Sequence, residues 1–250
     1  MKKSSSVKLD IGSWITIGHS SIAEIMADAG FDWLCIDMEH TVIDYTQAQN
    51  LISVIQGKGV LAYVRVGENN NRIIKRVLDA GADGIIVPMV NTKEDAKNAV
   101  NAVRYPPDGK RGVGLARAQG YGFAFDEYLK KQKKIDIIVQ IEHIEAIKNL
   151  KAILSVRGIS GSIIGPYDLS ASIDKPGKYE DDNVIDALKE YEKLSLELKM
   201  PMGYHIVEPD SDKFLEMRDK GYTILALGFD AMYLGTITRE NLEKIKAGLI

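Results

Sequence analysis

Short apolar runs alternate with longer amphipathic segments from one end of the chain to the other. The short runs predict strands at Gly12 to Ile17, Phe31 to Asp37, Val60 to Val66, Gly84 to Val87, Ile135 to Ile141, Gly161 to Ile164, Met202 to Val207 and Ile224 to Leu227. Between them the spacing predicts helices. These start at Ser20 or Ser21 (ending at Ala29), Tyr45 (to Gln56), Asn71 (to Ala80), Thr92 (to Val103) and Phe125 (to Lys134). They continue with Glu145 to Leu154, Val184 to Leu198, Asp210 to Lys220 and Arg239 to Ala247. Ser21 and Glu24 have the spacing of a capping box, and Gly30, Gly81, Gly158 and Gly221 each stand where a helix must stop before a strand.

Strands that alternate with helices form a parallel sheet, and eight such units favour a closed (β/α)8 TIM barrel over an open doubly wound sheet. The length of 250 residues suits one barrel, and no shift in composition marks a boundary, so residues 1–250 read as a single domain. Residues 104–123 break the rhythm with a run rich in Gly, Pro and Arg. Gly112-Val113-Gly114, with Arg111 and Arg117 beside it, reads as an anion cradle or as a lid.

Composition narrows the partners. A formal charge of −3 with no stripe of Lys and Arg gives no reason to expect nucleic acid. The single cysteine, Cys35, rules out a disulfide within the chain and fits a reducing, cytoplasmic compartment. The polar N-terminal Met-Lys-Lys-Ser-Ser-Ser lacks the apolar core of a signal peptide, and no apolar run has the length of a membrane span.

In a barrel of this kind the C-terminal ends of the strands converge on one face. Those ends carry Asp37, Glu39 and His40 after the second strand and Arg65 on the third. Gln140 and Glu142 end the fifth, Asp168 follows the sixth, and His205 lies on the seventh. Glu142 and Asp168 suit a hard divalent cation; alternatively Glu142 caps the helix that follows and Asp168 caps a turn with Ser170. Arg65 suits a carboxylate or carbonyl oxygen of a substrate, or an ion pair with Asp37 or Glu39. His40 suits general acid/base work with Asp37 as its orienter. His143 reads as a surface helix residue and His19 as a loop or cap residue. No lysine stands on a strand, which argues against Schiff-base chemistry and for a metal route.

Several ordered motifs carry a resemblance. They include Ala29-Gly30-Phe31-Asp32-Trp33 leading to Ile36-Asp37-Met38-Glu39-His40, then Val64-Arg65-Val66 and Val77-Leu78-Asp79-Ala80-Gly81. They continue through Val87-Pro88-Met89-Val90, Arg104-Tyr105-Pro106-Pro107-Asp108-Gly109 and Arg111-Gly112-Val113-Gly114. Val139-Gln140-Ile141-Glu142 and Ile164-Gly165-Pro166-Tyr167-Asp168-Leu169-Ser170 complete the set. Over essentially its whole length the chain resembles the HpcH/HpaI class II aldolases, metal-dependent pyruvate aldolases. The resemblance implies that Glu142 and Asp168 hold a divalent cation (Mg²⁺, Mn²⁺ or Co²⁺) and that Arg65 holds the keto oxygen of pyruvate. It implies that His40 is the acid/base, supported by Asp37 and Asp79. Gln140 and Gly165, Pro166, Tyr167 and Asp168 would line the pyruvate pocket, with His205 facing the aldehyde. It also implies a homo-oligomer, hexamer or trimer, in which the last helix packs on a neighbouring subunit.

The expected activity is reversible aldol cleavage of a small 4-hydroxy-2-oxo acid. Related enolate chemistry such as oxaloacetate decarboxylation, or a non-catalytic binding barrel, are the alternatives. Met38, Tyr167 and His205 depart from the family pattern, which prefers Gly, a small residue and an apolar residue there. The departures bear on the aldehyde rather than on pyruvate.

Overall fold

The structure, a computed structural model, describes residues 10–131 and 134–248. The polar N-terminal stretch and residues 132 and 133 of the expected fifth helix lie outside the described residues. Eight strands, β1 (Asp10–Ile15), β2 (Trp33–Asp37), β3 (Leu61–Arg65), β4 (Gly84–Val87), β5 (Asp136–Ile141), β6 (Gly161–Ile164), β7 (Met202–Ile206) and β8 (Ile224–Phe229), close a barrel in chain order. Every neighbouring pair is parallel, and β1 pairs with both β2 and β8. This is the expected (β/α)8 TIM barrel.

The helices are α1 (Ser20–Asp28), α2 (Tyr45–Gly57), α3 (Asn71–Asp79), α4 (Lys93–Val103), α5 (Phe125–Lys131), α6 (Ile144–Lys148) and α7 (Leu150–Leu154). They continue with α8 (Pro166–Ala171), α9 (Asp182–Glu197), α10 (Ser211–Asp219) and α11 (Asp230–Ala247). Among the described residues no helix is long and apolar enough to cross a membrane. Two histidines do what Asp, Asn and Thr do at other helix starts. His19 Nδ1 accepts from Ser21 N–H at 3.2 Å and His143 Nδ1 accepts from Glu145 N–H at 3.1 Å. The cap of α1 is therefore His19 rather than a serine, and His143 is a cap rather than a surface helix residue.

Side chains alternate along each strand, and the alternation divides the apolar residues in two. One set faces the helices and forms the larger core, Leu34, Ile36, Val64, Val139 and Ile164 among it. The other set, Trp14, Trp33, Cys35, Tyr63, Ile86, Ile138, Ile163 and Ala226, fills the barrel itself. Trp33 and Tyr63 stack with centroids 5.7 Å apart. Glycine makes room for them: a Cβ at Gly12 would run into the Trp33 indole, and one at Gly84 would lie 2.9 Å from the Tyr63 ring. The interior below the strand ends is a solid plug, not a pore.

Residues 104–123 form a packed strap rather than an anion cradle. Arg111 is fully buried, donates to Asp79 Oδ1 at 2.7 Å and to Tyr128 Oη at 2.8 Å, and lies over the Tyr105 ring. Arg117 is spent on the Ala80 carbonyl at 3.0 Å. The cations that made the loop look like an anion site are its anchors.

Candidate active site

Continuing the inward parity of the plug upward leads to the polar groups. Trp33 and Cys35 are followed by Asp37, Tyr63 by Arg65, Ile138 by Gln140 and Glu142, and Gly203 by His205. Asp37 and Arg65 are register partners on β2 and β3. Arg65 Nε donates to Asp37 Oδ1 at 3.0 Å and Nη2 donates to Oδ2 at 2.8 Å, a bidentate pair. Glu39 Oε2 lies 3.3 Å from Arg65 Nε, so both ion-pair partners read from the sequence are present. The guanidinium also sits 4.5 Å from the Trp14 ring centroid. Among the described residues nothing bonds Arg65 Nη1, and the side chain lines the cavity. Burial pushes the Asp37 carboxyl up, but its hydrogen bonds with Arg65 and the guanidinium charge outweigh that and hold it below the usual value. Glu39 goes the other way. Burial raises it, Arg65 lowers it, and the charge of Glu142 helps to leave it above an ordinary glutamate.

Glu142 is 5% exposed and held at both oxygens. The Met89 N–H donates to Oε1 at 2.7 Å, from a residue in the left-handed region at φ 52°, and Gln140 Nε2 donates to Oε2. Glu142 does not cap α6, because His143 does. Asp168 does not cap a turn with Ser170, whose hydroxyl donates to the Tyr167 carbonyl. Among the described residues no donor bonds the Asp168 carboxylate. Gly165 stands between the two acids. A Cβ there would lie 3.4 Å from Glu142 Oε2 and 3.9 Å from Asp168 Oδ2, filling the space they share. Two carboxylates facing one space without a cationic side chain between them suit a hard divalent cation. No three potential ligands cluster among the described residues, so such a cation would keep positions for water and substrate oxygens.

A cavity of about 450 Å³ opens at this face, lined by Trp14, Arg65, Gln140, Gly165, Asp168 and His205 among others. Pro166 and Tyr167 also line it, at the start of α8, with Tyr167 57% exposed at the mouth. Tyr179, Tyr204 and Lys213 complete the outer wall. His205 Nε2 lies 3.0 Å from the Gly228 carbonyl, and its ring packs on Trp14 at 5.5 Å. Burial lowers the imidazole to about 4, with Arg65 adding to the effect against the Gly228 carbonyl.

Two expectations need correction. Asp37 does not orient the His40 imidazole. Its carboxylate accepts the backbone N–H of Glu39 (3.0 Å) and of His40 (3.3 Å) and is otherwise spent on Arg65. The imidazole, 67% exposed at the rim, instead has Glu39 Oε2 at 3.6 Å. Asp79 is not beside His40 within the chain. It ends α3, which runs back to the starts of β3 and β4, and it is bonded there by Arg111 and Gln119. Met38 turns outward to pack on the larger core, so it does not separate Asp37 from Glu39 inside the site. Trp14 and the Met89 amide escaped sequence reasoning. The inward parity of β1 would have found Trp14, whereas nothing in a sequence marks a single backbone N–H.

Comparison with known proteins agrees with the fold. The family model of HpcH/HpaI aldolase/citrate lyase matches residues 10–235. A 5-keto-4-deoxy-D-glucarate aldolase of Escherichia coli (strain SMS-3-5) is 33% identical over 241 residues, covering 96% of this chain and 93% of the relative. A HpcH/HpaI aldolase/citrate lyase family protein from Burkholderia cenocepacia J2315 superposes with a TM-score of 0.90 at 29% identity, covering 96% of this chain and 95% of the other. A HpcH/HpaI aldolase from Desulfitobacterium hafniense DCB-2 does so with 0.87 at 28% identity, covering 96% and 93%. With the family model matching residues 10–235 and a relative 33% identical over 96% of the chain, the chain belongs to the HpcH/HpaI aldolase/citrate lyase family.

Proposed function

We propose that this protein is a carbon–carbon lyase that reversibly cleaves a 4-hydroxy-2-oxo acid to pyruvate and an aldehyde, with a divalent cation (Mg²⁺, Mn²⁺ or Co²⁺) as cofactor. The observation that carries the reading is the pairing of Glu142 and Asp168 across Gly165, beside the unbonded Nη1 edge of Arg65. In cleavage the C3–C4 bond breaks, its electron pair passes to the C2–C3 enolate, the C4 hydroxyl proton leaves, and C3 takes up a proton to give pyruvate. Held by Glu142 and Asp168, the cation would act as a Lewis acid for the negative charge that develops on the 2-oxo oxygen. Arg65 donates from Nη1 to that same oxygen while Asp37 holds the guanidinium in place. Gln140 fixes Glu142 and lines the floor against which the oxo acid rests. His40, open to solvent with Glu39 beside it, moves the proton.

Support for assembly comes from α11, which exposes Leu234, Ile237, Leu242 and Ile245; the proposal is a homo-oligomer, hexamer or trimer, joined through this helix. The buried thiol of Cys35 supports a cytoplasmic setting.

Pyruvate release from a panel of 4-hydroxy-2-oxo acids, coupled to lactate dehydrogenase, tests the activity. EDTA should abolish release and Mg²⁺ or Mn²⁺ restore it, while Glu142→Ala and Asp168→Ala should lie at least about a thousandfold below the wild type. Full activity in either variant after chelation and re-addition of the metal would refute the ligand assignment. No pyruvate from any member of the panel would leave a binding barrel as the better reading.

A further inference from the structure

Among the described residues, four other than glycine hold a positive φ: Met89, Tyr121, Asp174 and Lys199. The last three each close a helical turn. The Lys199 amide returns to the Leu196 carbonyl at 3.1 Å, that of Asp174 to Ala171 at 3.0 Å and that of Tyr121 to Ala116 at 2.8 Å. This is the ordinary use of the left-handed region at the end of a helix. Met89 differs. It follows β4 across Pro88, and its amide reaches a carboxylate 53 residues further on, Glu142 Oε1 at 2.7 Å.

The Met89 side chain gives no reason for this conformation. It carries a Cβ, which the left-handed region disfavours, and at 51% exposed it belongs to neither core. The surroundings impose the conformation instead. Val87 is fixed in β4, and Pro88 is buried. Val90 is fully buried in the larger core. The Asn91 amide donates to Asp95 Oδ2 at 3.1 Å, and the Asn91 carbonyl accepts from Asn149 Nδ2 at 2.9 Å. With both flanks held, a change of φ at residue 89 has to be taken up by rotating the peptide between Pro88 and Met89. That rotation turns the N–H off Glu142. Gln140 Nε2 holds the other oxygen, so the two donors together fix the carboxylate that faces Asp168 across Gly165.

Resting on the divalent-cation reading above, we propose that Met89 is a positioning residue whose left-handed backbone, rather than its side chain, aims the amide that sets Glu142 for the cation. The strain at residue 89 is thereby tied to cation affinity. Met89 itself touches neither the cation nor the substrate.

Mn²⁺ binding to the full chain, followed by electron paramagnetic resonance, reads the effect without depending on turnover. Met89→Leu makes the same demand on the backbone and should bind Mn²⁺ as tightly as the wild type. Met89→Gly and Met89→Asn suit the left-handed region, so they should bind at least as tightly, with no lower midpoint in urea. Met89→Val and Met89→Ile, whose branched Cβ tolerates that region least, should bind about tenfold more weakly. An unchanged affinity in the two branched variants, with only the urea midpoint lowered, would overturn the proposal, because the conformation would then be structural alone. A loss in Met89→Leu equal to theirs would overturn it too, because the effect would then belong to the side chain. Where the branched variants do not fold, residue 89 is replaced by the 2-hydroxy acid with the same side chain, which exchanges the N–H for an ester oxygen. The same weakening is expected there, and its absence would overturn the proposal. A wild type that binds no Mn²⁺ defeats the cation reading itself. A wild type that binds, with branched variants that bind equally, defeats only the role of Met89.

Discussion

Asp37 and Arg65 show how much a single pair can decide. The two side chains are largely buried, and the bidentate geometry offsets the cost of taking both charges out of water. Asp37→Asn leaves Arg65 with only Glu39 at 3.3 Å. The variant should lose about 2 kcal/mol of stability at pH 7 and about a hundredfold in kcat/KM, as the guanidinium loses its fixed direction. The pH dependence has a definite sign. A carboxyl held below its unfolded value contributes stability that is complete above about pH 4 and is lost as the pH falls through the folded value. Urea unfolding at pH 7 and pH 3.5 should therefore show the gap between wild type and variant closing in acid. Glu39 is shifted the opposite way, chiefly by burial, and loss of the Asp37 charge removes only a lesser cause of that shift. The sequence places Asp37 and Arg65 at strand ends and allows either a substrate role or an ion pair. The register that sets them side by side is a tertiary fact, and it permits both. Asp79 escapes sequence reasoning for a related cause. A helix in this fold runs antiparallel to the strands, so its last residue returns to the face remote from the strand ends.

At the scale of elements, the join between the two ends of the barrel carries the most concentrated bonding. Asp230, 4% exposed at the start of α11, accepts from the Thr16 amide at 2.9 Å, the Thr16 hydroxyl at 2.5 Å, the Ile17 amide at 2.8 Å and the Ala231 amide at 2.8 Å. Removing the carboxylate leaves buried donors without partners, so Asp230→Ala should cost about 3 kcal/mol. Hydrogen exchange should locate the damage: the amides of Thr16 and Ile17 should lose protection before those of β4 and β5. This join is the least legible part of the chain. The sequence pattern predicts the last helix from Arg239, whereas it begins at Asp230. Gly235 and the β-branched Thr236, Ile237 and Thr238 lower local helix propensity, and only packing overcomes that local preference. Tyr233 supplies part of it, donating to the Leu227 carbonyl at 2.8 Å. The sequence pattern likewise predicts no helix directly after Ile164, yet Pro166 is the first residue of α8.

For the whole molecule, the eight strands and their order are legible because strand and helix periods differ and recur without interruption. The inward parity is legible too, once Trp33, Cys35 and Asp37 are counted by twos. The filling of the barrel is not, since glycine at positions 12 and 84 acquires its meaning only from the rings across from it. That filling has a kinetic consequence. Trp33, Tyr63, Ile86, Ile138 and Ile163 stop the barrel from below, so the cavity has no back door on that side. Gln140 and Glu142 are buried at its inner end, while Tyr167 and Tyr179 stand exposed at the mouth. Two products formed in one such blind channel leave in the order of their depth. The aldehyde departs first and pyruvate last, and in synthesis the queue is reversed. Steady-state inhibition should record it: added pyruvate should compete with the 4-hydroxy-2-oxo acid, and added aldehyde should inhibit noncompetitively. Competition by both products would mean that they leave in either order. With ordered release, the residues that plug the barrel set the sequence of events at its mouth without touching either product.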